Sequence, residues 1–562
     1  MNKAFLLLLV LFTGCNPNTE TFTSGKDITV ANGIVVSENS EASKVGASIL
    51  KRGGNAVDAA AATEFALAVC YPAAGNIGGG GFMVIRKADG TTDVIDYREK
   101  APSAASRDMF TDESGNVIDS LSTDTHLASG VPGTVDGIIT AHSRYGKLPF
   151  RDVIQPAIDL ARNGFAITKR QAQGLNSNRR NFIERNSSRV AFVRDSLWKE
   201  GDMLVQEDLA GTLERIRDSG RDGFYSGETA AMIAREMKRG NGLISEEDLA
   251  GYHSESRKPL ISDYKGYRII TVPPPSSGGV ILFQLLKMTE DYPVQEWGFN
   301  SVKTVHLIAE AERRAFADRA EYLGDPAYMK IPAEILLNKK YLKSRMSSFD
   351  ETKASLSTDI FPGNLENYES KETTHYSVVD SEGNAVSATT TLNGGFGNSI
   401  VVEGAGFLLN NEMDDFSVKP GSPNMYGLVG GEANAVAPGK KMLSSMTPVI
   451  VEKEGKLFMV AGSPGGSTIP TTVFQVITNV IDHGMKIQEA VDAGRFHNQW
   501  LPDMIMYEKQ RLDSASLNRI SLMGHKMEQA GRIGSVNAIL VNNDGSRAGA
   551  ADRRSDNTSC GF

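Results

Sequence analysis

The threonine at position 373 constrains this chain more than any other residue. It opens the run Thr373-Thr374-His375-Tyr376-Ser377-Val378-Val379 directly after residues 350–372, a polar stretch with few large apolar groups and no sustained period. Such a stretch reads as an exposed linker. The β-branched and aromatic residues over 374–379, the turn chemistry of Asp380-Ser381-Glu382-Gly383-Asn384 and a second β-rich run over 385–392 predict a hairpin. With the turn centred on Glu382, Thr373 falls across from Thr391, where Cβ atoms lie about 4.5–5.5 Å apart. A slip of one residue would send every side chain to the opposite face, so the centre of the turn is the quantity to check. A threonine that starts a strand behind a cuttable linker has a chemical use. Cleavage between Glu372 and Thr373 would free an α-amino group, which titrates at about 7.7–8.0, and its neutral form can take the proton of the neighbouring hydroxyl. Taken alone, the pattern also fits a threonine-rich strand of good β propensity.

Longer blocks narrow the choice. Downstream, TTHYSVVDSEGNAVSATTTLN, GFLLNNEMDDF, MLSSMTP and AGSPGGS, and upstream, GGNAVDAAAATEFALAV, GNIGGGGFMV, DYREKAP, HLASGVPGTVDG, PPPSSGG and DRAEYLGDP, resemble the γ-glutamyltransferases (γ-glutamyl transpeptidases), members of the N-terminal-nucleophile hydrolases. The resemblance runs from about Ala31 to the end of the chain. It implies an α+β fold, a four-layer αββα sandwich made of two autoproteolytic fragments: a large one over 31–372, with the linker 350–372 at its end, and a small catalytic one over 373–562. It implies self-cleavage between Glu372 and Thr373, and a heterodimer of the two fragments. The expected substrates are glutathione and related γ-glutamyl compounds. They would pass through a γ-glutamyl ester on Thr373 to water, an amino acid or a peptide.

Residue by residue, the resemblance assigns Thr373 as nucleophile, Thr391 as its orienting partner, and Gly465 and Gly466 as the oxyanion hole. Arg98, Ser444 and Ser445 would hold the substrate α-carboxylate, and Glu412 and Asp415, with Asn393 assisting, the α-ammonium. Tyr426, in the Pro/Gly-rich loop 417–434, would be the aromatic of a lid. The residues themselves are compatible with these roles. Arg98 closes a strand expected over 93–97, and its planar fork suits a carboxylate. Asn393 follows Thr391 by two and would share its strand face. A short strand over 407–410 leads into an acidic turn at 411–415, which without the resemblance would read as solvated. The successive glycines after the strand 458–461 let backbone N–H groups point into a concavity.

Elsewhere, helices are expected over 40–50 and 55–69, the second buried on several faces. The glycine run GNIGGGG lacks the Gly-Lys-Ser/Thr ending of a phosphate loop and reads as a tight turn with close backbone packing. Residues 136–341 read as helical scaffold, and PPPSSGG as a rigid turn entering a helix.

The net charge of −9 offers no basic patch for nucleic acid. No HExxH or HxH spacing occurs among the eight histidines, so neither a metal nor any other cofactor is expected. Lys3 precedes an apolar run over 4–12 that is too short to span a bilayer, and Thr13-Gly14-Cys15 follows. Residues 1–15 thus resemble a bacterial lipoprotein signal with Cys15 as the lipidated residue. Residues 16–30 would be a tether, and the expected location is the periplasm or cell envelope, with membrane contact only through the anchor. Cys70 and Cys560 are too few for a disulfide framework, and Cys70 reads as a small buried apolar residue. Two other classes fit part of the pattern: an N-terminal-nucleophile acylase for glutaryl or β-lactam side chains, and a non-enzymatic solute-binding lipoprotein that stays uncut.

Overall fold

The computed structural model describes residues 22–362, 374–419, 425, 431–509 and 512–562. Two sheets face each other. The first runs, in spatial order, β1 (Thr23–Gly25), β20 (Thr558–Gly561), β3 (Ile34–Ser37), β11 (Thr374–Val379), β12 (Ala385–Thr391), β4 (Gly80–Arg86), β5 (Thr92–Asp96) and β8 (Glu255–Arg257). The second runs β2 (Asp27–Val30), β19 (Arg547–Ala551), β18 (Asn537–Val541), β14 (Lys456–Gly462), β13 (Val449–Lys453), β10 (Tyr267–Thr271) and β9 (Leu260–Tyr264). A pair, β6 (Phe165–Ala166) with β7 (Met203–Leu204), and a triplet, β15 (Phe496–His497), β16 (Ile505–Glu508) and β17 (Met527–Ala530), stand outside the sandwich.

Alternation along the strands produces the layers. On β4, Met83 and Ile85 join the core under helices α1 (Ser40–Lys51) and α2 (Ala56–Cys70), whereas Phe82 and Val84 point into the core shared with the second sheet. Period-two side chains on a strand can serve two cores only if both faces are covered. Helices Gly278–Thr289, Val302–Tyr322 and Thr468–Ile481 supply residues to that second core. The result is the four-layer αββα sandwich. Both sheets contain strands from before residue 372 and from after residue 373, paired at β1–β20, β20–β3, β3–β11, β12–β4, β2–β19 and β13–β10, so backbone ladders bind the two halves of the sequence together.

The hairpin has the expected register. Val379 pairs with Ala385 and Thr374 with Thr390, so the turn is centred on Glu382. The Asp380 carboxylate makes that turn: Oδ1 accepts from Glu382 N (2.9 Å) and Asn384 N (3.0 Å), and Gly383 takes a positive φ of 89°. The other oxygen, Oδ2, accepts from Ala56 N at 3.0 Å, so the turn also caps α2, whose every residue is buried. The glycine run packs as expected: a Cβ at Gly79 would stand 1.9 Å from Thr391 O, and one at Gly78 2.2 Å from Leu408 O.

Several expectations need correcting. The tether does not extend to residue 30, because 23–25 and 27–30 are strands that pair with β20 and β19. The linker is not exposed from residue 350 onward. Ala354 N bonds Met523 O at 2.7 Å, Ser355 N bonds the buried Glu310 at 3.0 Å and Ser357 N bonds the half-buried Asp503 at 2.7 Å, so polar composition here reflects bonding to carboxylates of the folded body. The scaffold over 136–341 contains strands β8 to β10 as well as helices, and β10 with β9 closes one edge of the second sheet. Residues 407–410 make only a single bridge, Leu408 to Val401. Cys70 is buried as expected, and both it and Cys560 are free thiols. No helix among the described residues is long and apolar enough to cross a membrane.

Candidate active site

Arg98, just beyond β5, is fully buried and holds together segments far apart in sequence. Its backbone is fixed at both ends: Arg98 N donates to Asp96 Oδ1 (2.9 Å), and Arg98 O accepts from the Tyr252 hydroxyl (2.9 Å). The guanidinium pairs through Nη1 with Glu412 and through Nη2 with Asp415, lies 3.3 Å from Glu99 Oε2, and donates through Nε to Met442 O at 3.2 Å. Three carboxylates around one guanidinium leave an excess of negative charge. Burial pushes the Glu99 carboxyl up to about 7 despite the pull of Arg98. Burial, with Glu99 and Asp415 beside it, holds the Glu412 carboxyl well above its ordinary range, against the same pull. On Arg98 burial opposes the charge, but Glu412, Glu99 and Asp415 outweigh it and raise the guanidinium above its usual value. Glu412 Oε2 and Asp415 Oδ1 are buried and have no hydrogen-bond partner among the described residues. Buried oxygens of this kind are uncommon in native proteins and call for an explanation.

The acidic turn is thus the opposite of solvated. Glu412–Asp415 form one 3₁₀ turn, buried throughout, and asparagines tie it in place. Asn410 Oδ1 accepts from Glu412 N (3.0 Å) and Gly130 N (2.9 Å), while its Nδ2 donates to Gly78 O and Gly130 O (both 2.8 Å). Asn434 Nδ2 donates to Asp415 O (2.6 Å), and its Oδ1 accepts from Leu443 N (2.9 Å). The stretch after Met442 therefore reaches the clamp through Arg98 and Asn434 together. Ser444 is held from behind, its carbonyl accepting from Ser277 N and Ser277 Oγ, each at 2.7 Å, and its Oγ accepting from Met446 N at 3.1 Å. Ser445 follows it, 5% exposed.

Asn393 does not continue the strand face of Thr391. It adopts a positive φ of 70°, its N–H donates to Thr391 Oγ1 (2.8 Å) and its Nδ2 to Asn411 O (2.9 Å). The chain turns here because the Thr391 hydroxyl replaces a ladder bond, and the turn joins the end of β12 to the acidic turn. Asn76 holds the same corner, donating to Thr391 O at 2.8 Å.

The glycine pair approaches from the second sheet. Gly462, last in β14, pairs with Asn537, and a Cβ on it would stand 2.4 Å from the His375 ring, so the loop carrying Gly465 and Gly466 leaves the sheet against β11. Both glycines have positive φ, 133° and 57°, and the loop is fastened where Thr468 Oγ1 donates to Gly465 O at 2.7 Å. His375 itself is buried with Nδ1 2.9 Å from Thr389 Oγ1 and Nε2 3.1 Å from Ser377 Oγ, and burial lowers its pKa to about 3. It is a neutral core residue.

The structure brings together Arg98, Asn393, Glu412, Asp415, Ser444 and Thr391, with Ser445 next in the chain, while the Gly465–Gly466 loop leaves the second sheet beside β11. Glu372, Thr373, Tyr426 and Cys15 lie outside the described residues. Sequence reasoning missed Glu99, Asn76, Asn410 and Asn434. For the three asparagines the signal was a polar residue inside or beside a glycine-rich or apolar run, which points to an obligatory buried hydrogen bond; Glu99, in the charged stretch DYREKAP, had no such signal.

Fold and site together define the class: the αββα sandwich is that of an N-terminal-nucleophile hydrolase. Cephalosporin acylase from Bacillus halodurans superposes with a TM-score of 0.83 at 25% identity, covering 99% of each chain. The chain belongs to the gamma-glutamyltranspeptidase family, whose model matches residues 42–562. It is 49% identical over 533 residues, 94% of this chain and 92% of the relative, to the glutathione hydrolase proenzyme of Escherichia coli K12. It also resembles the gamma-glutamyltranspeptidase structure from Helicobacter pylori, with a TM-score of 0.57 and 45% identity over 58% of this chain and 94% of that one.

Proposed function

We propose that the protein is a glutathione hydrolase and γ-glutamyltransferase that matures by cutting itself between Glu372 and Thr373. The observation that carries this reading is the Arg98 clamp: one buried cation, an excess of carboxylates, and two buried carboxylate oxygens without a partner among the described residues. An amino-acid head group carries both charges needed to complete it. Its α-ammonium meets Glu412 and Asp415, and its α-carboxylate takes over the donors of Arg98 with Ser444 and Ser445, so the internal pairs of Arg98 with Glu412 and Asp415 are exchanged for pairs with the substrate. Removing one member of such a buried pair costs about 2–5 kcal/mol. A glutaryl side chain, or any other acyl group without an α-amine, would leave those oxygens unmet.

The chemistry follows from a threonine at a new chain terminus. The neutral α-amino group of Thr373 accepts the proton of Thr373 Oγ as the oxygen adds to the γ-amide carbon. Gly465 and Gly466 donate backbone N–H groups to the oxyanion, and Thr391 orients the nucleophile. The intermediate collapses by breaking the C–N bond, with the proton passing to the leaving amine, and leaves a γ-glutamyl ester. Water or an incoming amine adds to the same carbon, the ester C–O bond breaks to restore the Thr373 hydroxyl, and glutamate or a new γ-glutamyl amide is released. In maturation the same oxygen attacks the Glu372 carbonyl, the Glu372–Thr373 C–N bond breaks to give an ester and the free Thr373 amine, and water then hydrolyses that ester, releasing the Glu372 carboxylate and restoring the Thr373 hydroxyl. The interleaved sheets hold the two fragments together afterwards. Thr373→Ala is expected to give one uncut band on a denaturing gel and no release of aniline from a γ-glutamyl anilide; two bands from that variant contradict self-cleavage. Export with lipid attachment at Cys15 belongs to the same proposal, and Cys15→Ala is expected to move the protein from the membrane fraction to the soluble one.

A further inference from the structure

Behind the hairpin lies a charged residue type that this mechanism does not use. Glu64 sits in α2, fully buried, and among the described residues neither of its carboxyl oxygens makes a well-formed hydrogen bond. The hydroxyls of Tyr376 on β11 and Thr390 on β12 are its polar neighbours, close enough to lower its pKa in part against burial. The Tyr376 and Tyr97 hydroxyls are likewise buried with no well-formed hydrogen bond among the described residues. Thr390 lies directly across from Thr374 in the hairpin, donates through Oγ1 to Gly80 O (3.0 Å), and precedes Thr391. No cation acts on Glu64 among the described residues. The titratable groups facing it are Tyr376 from β11 and Tyr97 from the segment after β5, and Tyr97 in turn faces Glu99. From the neighbouring helix Thr134–Tyr145, His142 meets α2 at its first turn, pairing with Asp58 at 3.2 Å.

We infer that Glu64 is a positioning residue for the catalytic hairpin: as a neutral acid it fits behind Tyr376 and Thr390, and its ionisation draws those hydroxyls toward it, displaces the strand pair beside Thr391 and slows acylation. The physical basis is the asymmetry of burial. A neutral carboxyl tolerates an apolar helix face, whereas a carboxylate without a counter-ion there must recruit whatever donors are near. The donors near it are the hydroxyls of the two strands that precede and follow the turn. Burial pushes the Glu64 carboxyl up to about 8, so the change falls within the range where the Thr373 amine is neutral and the enzyme is otherwise fully competent.

This inference rests on the reading of Thr373 as nucleophile, and its test separates the two. Single-turnover acylation by a γ-glutamyl anilide, without acceptor, is measured from about pH 6 to about pH 10 for the wild type and for Glu64→Gln, which keeps the shape and cannot ionise. The wild type is expected to rise with the amine and then fall severalfold above about pH 8; in Glu64→Gln the rise stays and the fall disappears. A fall of equal size in both, or in neither, overturns the inference while leaving the nucleophile untouched. Infrared difference spectra need no turnover and can use the uncut Thr373→Ala chain. A protonated-carboxyl C=O band present at about pH 7, lost by about pH 9.5 and missing in Thr373→Ala with Glu64→Gln is expected. A spectrum without that band contradicts a neutral Glu64.

Discussion

The hairpin β11–β12 and the Arg98 clamp meet at Thr391 and Asn393, yet they are built on opposite principles. The hairpin is local, regular and uncharged. Its one imidazole is kept neutral and its fit against the second sheet depends on a missing Cβ at Gly462. The clamp is assembled from residues 98–99, 412–415 and 442–445, is irregular in backbone, and balances one cation against three carboxylates. Under the proposed function, the difference means that the molecule separates making a nucleophile from recognising a head group. Shape governs the first and charge the second, so damage to each should register in different measurements.

Arg98→Gln breaks this comparison hardest. Removing the cation leaves carboxylates buried and uncompensated, a change of about 3–5 kcal/mol. A fall of at least a hundredfold in kcat/KM and a lowered Tm are expected, while any folded protein still shows two bands on a gel. Asp415→Asn is milder, because Arg98 keeps Glu412 and Glu99. A loss of about 2–3 kcal/mol in kcat/KM, carried by KM, is expected with cleavage at the wild-type rate. Gly462→Ala attacks the other region. A methyl 2.4 Å from the His375 ring forces repacking that costs about 1–3 kcal/mol, and slower maturation at unchanged KM is expected by gel time course and kinetics. Smallest is the acid response of His375. The unfolded chain takes up a proton below about pH 6.5 that the folded chain refuses until about 3, so stability falls as pH drops through that window, by at most about 1.4 kcal/mol per unit. His375→Asn is expected to flatten that part of the Tm-against-pH curve.

The same division governs what could be read from the sequence. The hairpin register, α2 and the tight glycine run were legible because each depends on neighbours within a few residues: Asp380 makes its own turn, and Asn55 and Asp58 cap their own helix. The clamp was legible only by family resemblance. Nothing local to Glu412 announces that Arg98 lies against it, and an acidic turn in a mildly acidic chain looks solvated. The docked start of the linker was misread for the same reason, since Ser355 and Ser357 find their partners on the helix Val302–Tyr322 and at Asp503. Asn393 was misplaced because a threonine hydroxyl two residues earlier ended the strand.

Labelling the mature protein with an electrophilic glutamate analogue that alkylates the attacking oxygen, followed by peptide mapping in a mass spectrometer, puts the whole reading at risk in one step. One label per molecule is expected, carried by the fragment beginning at residue 373, on the Thr373 side chain, and strongly reduced in Arg98→Gln. A label on any other residue, or on a chain still joined across residues 372 and 373, would contradict it.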